Sequence, residues 1–331
     1  MGRRRSVNKH LPANMQLKHG AYYFVKAGKW TRLADSYGPA LVEYAKYVGS
    51  KPEVLKVKDA LWGAIEHART RKHKAPASPA TLASYRHSAA RLERDFGHMA
   101  LEDLEPEHVV RYVVNGGTVQ HNRDKALLSI AYTYARILGG YRGQDPTKGL
   151  QVRVEEKPRD RYVTDAELDR IIAVASPKLA CIARFIELTG MRQGDALKVK
   201  MADLDDDGFT YYNSKSKRWQ GLEWSQALTD CVDDAKRLWR RFGREWLFES
   251  KPKGKHADRG VGPYTPSGLR ALWRVARTKA GLQDVRLHDL RAKSASDAGS
   301  DEEARQRLGH TDGKVTRRHY RRKIERSKPT R

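Results

Sequence analysis

The chain has 331 residues, and 65 Lys+Arg against 40 Asp+Glu leave a formal charge of +25 and a pI of about 10.0. That surplus excludes an ordinary neutral cytosolic enzyme and points to a polyanionic partner. Apolar residues make up 39%, with aromatic residues spread along the chain, so there is material for real cores. The length predicts two or three domains, because single cores stop growing at roughly 250 to 300 residues. Cys181 and Cys231 stand far apart without a companion pair. Neither a disulfide framework nor a cysteine zinc site is expected, and a reducing compartment is. No apolar run approaches the roughly 20 residues that span a bilayer, and no signal-peptide stretch opens the sequence, so a soluble intracellular protein without membrane contact is expected.

The opening carries a basic arm, Arg3, Arg4 and Arg5, followed by Leu11 and Pro12. Aromatic and β-branched residues at 22–25 and 30–33 flank Gly28 and predict a short hairpin. Leu41, Tyr44, Ala45 and Val48 then recur at helical spacing. Residues 1–69 are expected to form a small β-plus-helix domain with a connecting helix. Between Arg69 and Pro79 the composition turns to Arg, Lys, His, Ala, Pro and Ser, including Arg71, Lys72 and Lys74, which reads as a linker. A second domain, 70–150, is predicted to be wholly helical. Pro79 opens a stripe of Leu82, Tyr85, Ala89, Leu92 and Phe96, and further helices are expected at 106–114 and 123–138, the last ended by Gly139 and Gly140.

A polar stretch at 152–161 precedes the third domain, 160–331. Thr164 and Glu167 form a capping-box pattern ahead of Leu168, Ile171 and Ile172. A helix with Leu179, Ile182, Ala183 and Ile186 comes next, then a glycine turn, then a hairpin over 209–224. Helices are predicted again over 266–280 and from a second capping box, Ser300 with Glu303, to Leu308 before Gly309. The fold class is therefore multidomain α+β, with a small amino-terminal sheet domain, an all-helical domain and a mainly helical third domain bearing a small sheet.

Four segments of the third domain hold groups able to manage a phosphodiester. Arg192 stands on a glycine-flanked turn, and its guanidinium fork suits phosphate. Lys215 lies near the tip of the predicted hairpin, with Lys217 as its alternative, where an ammonium can protonate a leaving oxygen. His288 and Arg291 share one face if their segment is helical, pairing a proton carrier with a fixed charge. Leu308-Gly309-His310 precedes Tyr320 by ten residues; Tyr320 stands among arginines, and a phenolate is a nucleophile toward phosphorus. Taken singly, each has a plain structural reading: a solvated arginine, a basic turn, a capping histidine or a packing tyrosine.

Their order, Arg, hairpin Lys, His-x-x-Arg, Gly-His, then Tyr near the carboxyl end, resembles the tyrosine recombinases, the phage integrase family. The helical middle block is similar to the family's core-binding domain, and Arg3 to Ser6 with Leu11, Pro12, Asn14, Tyr22 and Tyr23 is similar to the arm-binding domain of lambda-type integrases. The interval from His310 to Tyr320 is one residue longer than the family usually has.

The resemblance implies a site-specific recombinase that cleaves and rejoins DNA through a 3′-phosphotyrosine, without metal or other cofactor. Arg192 and Arg291 would clamp the scissile phosphate, Lys215 would protonate the leaving 5′ oxygen, and Tyr320 would attack. His288 would assist proton transfer, His310 would hydrogen-bond a non-bridging oxygen, and Asp195 would brace the site. Double-stranded DNA with core-type and arm-type sites is the implied partner. Arg3, Arg4, Arg5, Arg71, Lys72 and Lys74 are the candidate DNA contacts. A homotetramer on DNA, a DNA-bending host factor, an excision factor and a bacterial host are implied as well. A chromosome- or plasmid-resolution recombinase, a type IB topoisomerase and a non-catalytic DNA-binding regulator are the alternatives.

Overall fold

The computed structural model describes residues 8, 11–48, 55–71, 75–240, 245–250 and 260–323. The fold is mainly helical with small antiparallel sheets, and the chain divides into two compact units, 1–156 and 157–331.

In the first unit β1 (Met15–Lys18), β2 (Ala21–Lys26) and β3 (Lys29–Ala34) form an antiparallel sheet in that order. The predicted hairpin is β2–β3, and β1 adds a strand that the sequence pattern alone did not indicate. His19 with Gly20 and Ala27 with Gly28 close the two turns in the left-handed region, the geometry that matches strand twist in two-residue hairpins. Helices α1 (Tyr37–Val48), α2 (Val57–Thr70), α3 (Pro79–Phe96), α4 (Pro106–Gly116) and α5 (Val119–Leu138) come after the sheet. Ser78 caps α3 by accepting from the Thr81 N–H, and Pro79 occupies the first turn. Met15 and Tyr22 of the sheet share one apolar cluster with Leu61, Leu92, Leu127 and Ala131 of the helices. Gly63 is required where α2 meets α5, since a Cβ there would stand 2.5 Å from the Tyr134 ring. Asp124, fully buried, accepts from Arg91 through two 2.8 Å bonds and from the Tyr112 hydroxyl at 2.8 Å, tying α3, α4 and α5 together.

The second unit opens with α6 (Asp165–Val174), α7 (Pro177–Thr189) and the single turn α8 (Gln193–Ala196). The capping box of α6 forms as its sequence predicts, Thr164 and Glu167 bonding each other's N–H at 3.2 and 3.0 Å. The hairpin β4 (Gly208–Asn213) and β5 (Arg218–Glu223) leads into α9 (Gln226–Leu238). The short strands β6 (Glu249–Ser250) and β7 (Gly262–Pro263) lead to α10 (Pro266–Lys279), α11 (Asp289–Ser296), α12 (Asp301–Leu308) and α13 (Gly313–His319). Only half of the second predicted capping box forms. Ser300 accepts from the Glu303 N–H at 3.1 Å, but the Glu303 carboxylate takes the Gly299 N–H at 2.7 Å. Phe185, Ile182, Phe209, Val232, Phe248, Trp273 and Leu290 build the core. Cys181 and Cys231, fifty residues apart in sequence, meet across α7 and α9 as free thiols, each donating to the other's carbonyl at 3.5 and 3.6 Å. No helix among the described residues is long and apolar enough to cross a membrane.

Candidate active site

Arg192 precedes α8 because α7 ends at Gly190, whose φ of 62° turns the chain back toward the core. Gly190 has little freedom to change, since an added Cβ would meet Leu308 and Ser294 at 3.0 Å. Arg192 donates to Asn213 Oδ1 at 2.7 Å, and the carboxylate of Asp195 lies 3.9 Å away.

Arg291, on the first turn of α11, is 1% exposed. Its Nη1 donates to the Gly190 carbonyl at 2.5 Å, and its Nη2 donates to the Leu308 carbonyl at 2.8 Å and to His310 Nε2 at 3.1 Å. Among the described residues no carboxylate pairs with it. A buried cation without a countercharge is costly. Burial, then the charge of Arg192, pushes the Arg291 guanidinium down to about 10. Among the described residues the site therefore carries a positive charge that no carboxylate balances, an environment that favours an anion.

His310 comes after Gly309, whose φ of 63° ends α12; a Cβ on Gly309 would collide with the Gln220 side chain at about 2.1 Å. Because a guanidinium can only donate, His310 Nε2 accepts, and the ring proton is on Nδ1, directed to Thr316 Oγ1 at 2.9 Å. His288 lies just before α11, with its Nε2 3.4 Å from the Tyr320 hydroxyl. Tyr320 is the residue that follows α13. The Tyr320 ring lies 5.0 Å from that of His310, and the Arg291 guanidinium is 5.4 Å from its centroid.

The backbone around Tyr320 is pinned to α11. Ser296 Oγ donates to the Tyr320 carbonyl at 2.8 Å and accepts from the Arg322 N–H at 2.7 Å. Arg322 also pairs with buried Asp289 at 2.7 Å, and Arg321 reaches the Ala298 carbonyl at 2.8 Å. Lys215 is exposed on the turn between β4 and β5, and its charge is among those acting on the His310 imidazole.

Burial pushes both histidines down to about 4, helped at His310 by Arg291, Arg192 and Lys215 and at His288 by Arg291 and Arg322. His288 is exposed to solvent, which weakens both its burial and the arginine field, so its share of the pH dependence is smaller than that of His310. Above the ordinary histidine value of 6.5 neither folded nor unfolded ring binds a proton, so the rings contribute no pH dependence there. Between 6.5 and about 4 the unfolded rings take protons that the folded ones refuse, so the fold loses stability as pH falls. Thermal melts are expected to drop by a few degrees from about pH 7 to about pH 5, and the His288→Gln, His310→Gln double variant to flatten that slope. An unchanged slope would refute it.

The structure thus brings together Arg192, Lys215, His288, Arg291, His310 and Tyr320. Of the candidate DNA contacts, Arg71 folds back to the Ala75 carbonyl at 2.9 Å, while Arg3, Arg4, Arg5, Lys72 and Lys74 lie outside the described residues. Asp165, Glu187 and Asp297 place carboxylate oxygens within 4.8 Å of one another. The buried Lys293 ammonium already pairs with Asp165 at 2.5 Å and Asp297 at 2.6 Å. Asn213, buried beneath the Lys215 turn, belongs to the site and was not singled out by the sequence; a polar residue that ends a strand at a basic turn was its only signal.

The sequence matches the phage integrase family over residues 161–326, and the chain belongs to that family. It is 27% identical over 149 residues to the integrase of Escherichia phage P2, covering 44% of this chain and 42% of that one. It is 25% identical over 186 residues to a shufflon-specific DNA recombinase of Escherichia coli, covering 55% and 44%. These matches span less than half the length of the curated relatives. Among solved structures, a lambda integrase dimer bound to a COC′ core site superposes with a TM-score of 0.69 over 99% of both chains at 20% identity. A lambda integrase tetramer bound to a Holliday junction does so equally. At that identity the likeness is one of fold.

Proposed function

We propose that the protein is a site-specific DNA recombinase, an integrase that inserts and excises a phage or mobile element through a 3′-phosphotyrosine. The observation that carries this reading is the buried Arg291, without a carboxylate partner among the described residues and 5.4 Å from the Tyr320 ring. Arg192 and Arg291 hold the scissile phosphate and offset the charge gained in the transition state. Tyr320 attacks phosphorus, His288 takes its proton, and Lys215 protonates the departing 5′ oxygen. His310 needs a proton on Nε2 to donate to a non-bridging oxygen, and the arriving phosphate charge favours that proton.

The covalent ester conserves the bond, so strands rejoin without an external energy source. The +25 charge serves the DNA backbone, and binding weakens steeply with salt. The protein works on core-type and arm-type sites as a tetramer in a bacterial host, with a DNA-bending factor and an excision factor as accessories. These readings draw on the likeness to the integrases. Of the tail, Arg321 and Arg322 are held on α11 and Lys323 pairs with Asp297 at 3.5 Å, while Arg326, Lys328 and Arg331 lie outside the described residues.

The test is relaxation of supercoiled plasmid in excess EDTA, with denaturant added to trap adducts. Relaxation with a protein–DNA adduct mapping to Tyr320 is expected. Binding without any adduct, even on DNA carrying the cognate site, would favour the regulator; relaxation that continues on any DNA without pairing of sites would favour a topoisomerase.

A further inference from the structure

We infer that Asn213 is a positioning residue that locks the Lys215 turn to the phosphate clamp, an inference resting on the reading of Lys215 as the leaving-group acid. Asn213 ends β4 and is 1% exposed. Its amide oxygen accepts from three donors: Arg192 Nη1 at 2.7 Å, the Lys215 N–H at 3.2 Å and the Ser216 N–H at 3.1 Å. The last two bonds are the ordinary way an asparagine caps its own turn. The bond to Arg192 crosses 21 residues and is not needed by any turn. One oxygen thus fixes the backbone that carries the acid relative to the guanidinium that holds the phosphate.

The other end of the same amide extends the frame. Asn213 Nδ2 donates to Gln220 Oε1 at 2.6 Å, and the Tyr211 hydroxyl donates to the same oxygen at 2.9 Å. Gln220 Nε2 in turn reaches the Gln306 carbonyl at 3.4 Å, near the end of α12. Its side chain also stands where a Cβ on Gly309 would fall, one residue before His310. The hairpin, the Arg192 turn and the His310 turn are therefore joined through a single pair, Asn213 and Gln220. Lys215 itself is exposed and has a long, flexible side chain, so the position of its backbone is what the protein can control. An acid held loosely transfers its proton less often in the geometry the transition state needs.

The test compares an ordinary duplex with one in which sulfur replaces the leaving 5′ oxygen, both carrying the site that the wild-type protein cleaves. Tyr320 Oη bonds to phosphorus as the P–S bond breaks, and the thiolate departs without a proton, so the acid is dispensable on the sulfur substrate. Lys215→Ala is expected to lose about 10²-fold or more on oxygen and to recover on sulfur. Asn213→Ala is expected to lose about tenfold to 10²-fold on oxygen, with its sulfur-to-oxygen rate ratio at least tenfold above the wild type. Asn213→Ser, whose hydroxyl can cap the turn but is too short to span to Arg192, is a milder variant that guards against misfolding. It is expected to shift the ratio in the same direction by less.

If Asn213→Ala slows both substrates equally, or slows neither, while Lys215→Ala recovers on sulfur, the inference is overturned and the Lys215 assignment stands. If Lys215→Ala fails to recover on sulfur, the Lys215 assignment falls and the inference falls with it.

Discussion

Tyr320→Phe is expected to abolish strand cleavage, by on the order of 10⁵-fold or more, while DNA affinity changes by less than about twofold. The phenol oxygen is the atom that would bond to phosphorus, and phenylalanine lacks only that atom. The ring contacts survive the change: Arg291 stays 5.4 Å from the ring centroid, and the His310 ring centroid stays 5.0 Å away. The change removes the 3.4 Å contact to His288, too long to carry much stability, and the hydroxyl's interaction with the Arg291 guanidinium, whose bonds to the Gly190 and Leu308 carbonyls and to His310 remain. A second phenol stands close by, because the charges of Arg291 and Arg192 act on Tyr211. That residue is buried, its hydroxyl is committed to Gln220 at 2.9 Å, and burial pushes it up to about 12. Tyr211→Phe should therefore still form the covalent adduct. The pair is read by trapping adducts with denaturant and by a band-shift titration at fixed salt. An adduct that persists in Tyr320→Phe and disappears in Tyr211→Phe would move the nucleophile to β4.

Much of the architecture was legible because local chemistry and global fold agree. Pro79, Thr164 with Glu167, and Gly309 act where their residue types predict. The six site residues were legible from their order along the chain and from the family that this order resembles; no single one of them stands out locally. The strand β1 was not legible because Met15-Gln16-Leu17-Lys18 is too short and too mixed to show a pattern. Helix α9 was legible but not predicted: Leu228, Cys231, Val232 and Ala235 stand at i, i+3, i+4 and i+7 with charged residues between them, the pattern of an amphipathic helix. The short basic helix α13 has a single buried residue, Thr316, and so carries no apolar period. Asn213 was illegible for a different reason. Its importance comes from a bond to Arg192 made in three dimensions, and spacing along a chain does not encode such a bond.

Arg291→Lys is expected to lower cleavage by on the order of 10³-fold and to destabilise the second unit by about 2 kcal/mol. Both effects have one origin. The guanidinium holds the Gly190 carbonyl, the Leu308 carbonyl and His310 Nε2 with separate donors pointing in fixed directions. Those three acceptors belong to the turn before Arg192, the end of α12 and the site itself. An ammonium keeps the charge but is a point on a flexible stem, so it cannot satisfy all three and also fork onto a phosphate. At least one buried carbonyl is left unpaired, at a cost of about 1 to 3 kcal/mol, and His310 loses the donor that fixes its tautomer. Arg291→Ala removes the charge as well and should abolish cleavage while unpairing both carbonyls. Melting and cleavage measured on the same preparations separate the two consequences. The reading requires that Arg291→Lys remain folded and bind DNA while cleaving poorly. A lysine variant that cleaves within about tenfold of the wild type would mean that charge alone suffices at this position, and the phosphate fork would have to be assigned to Arg192.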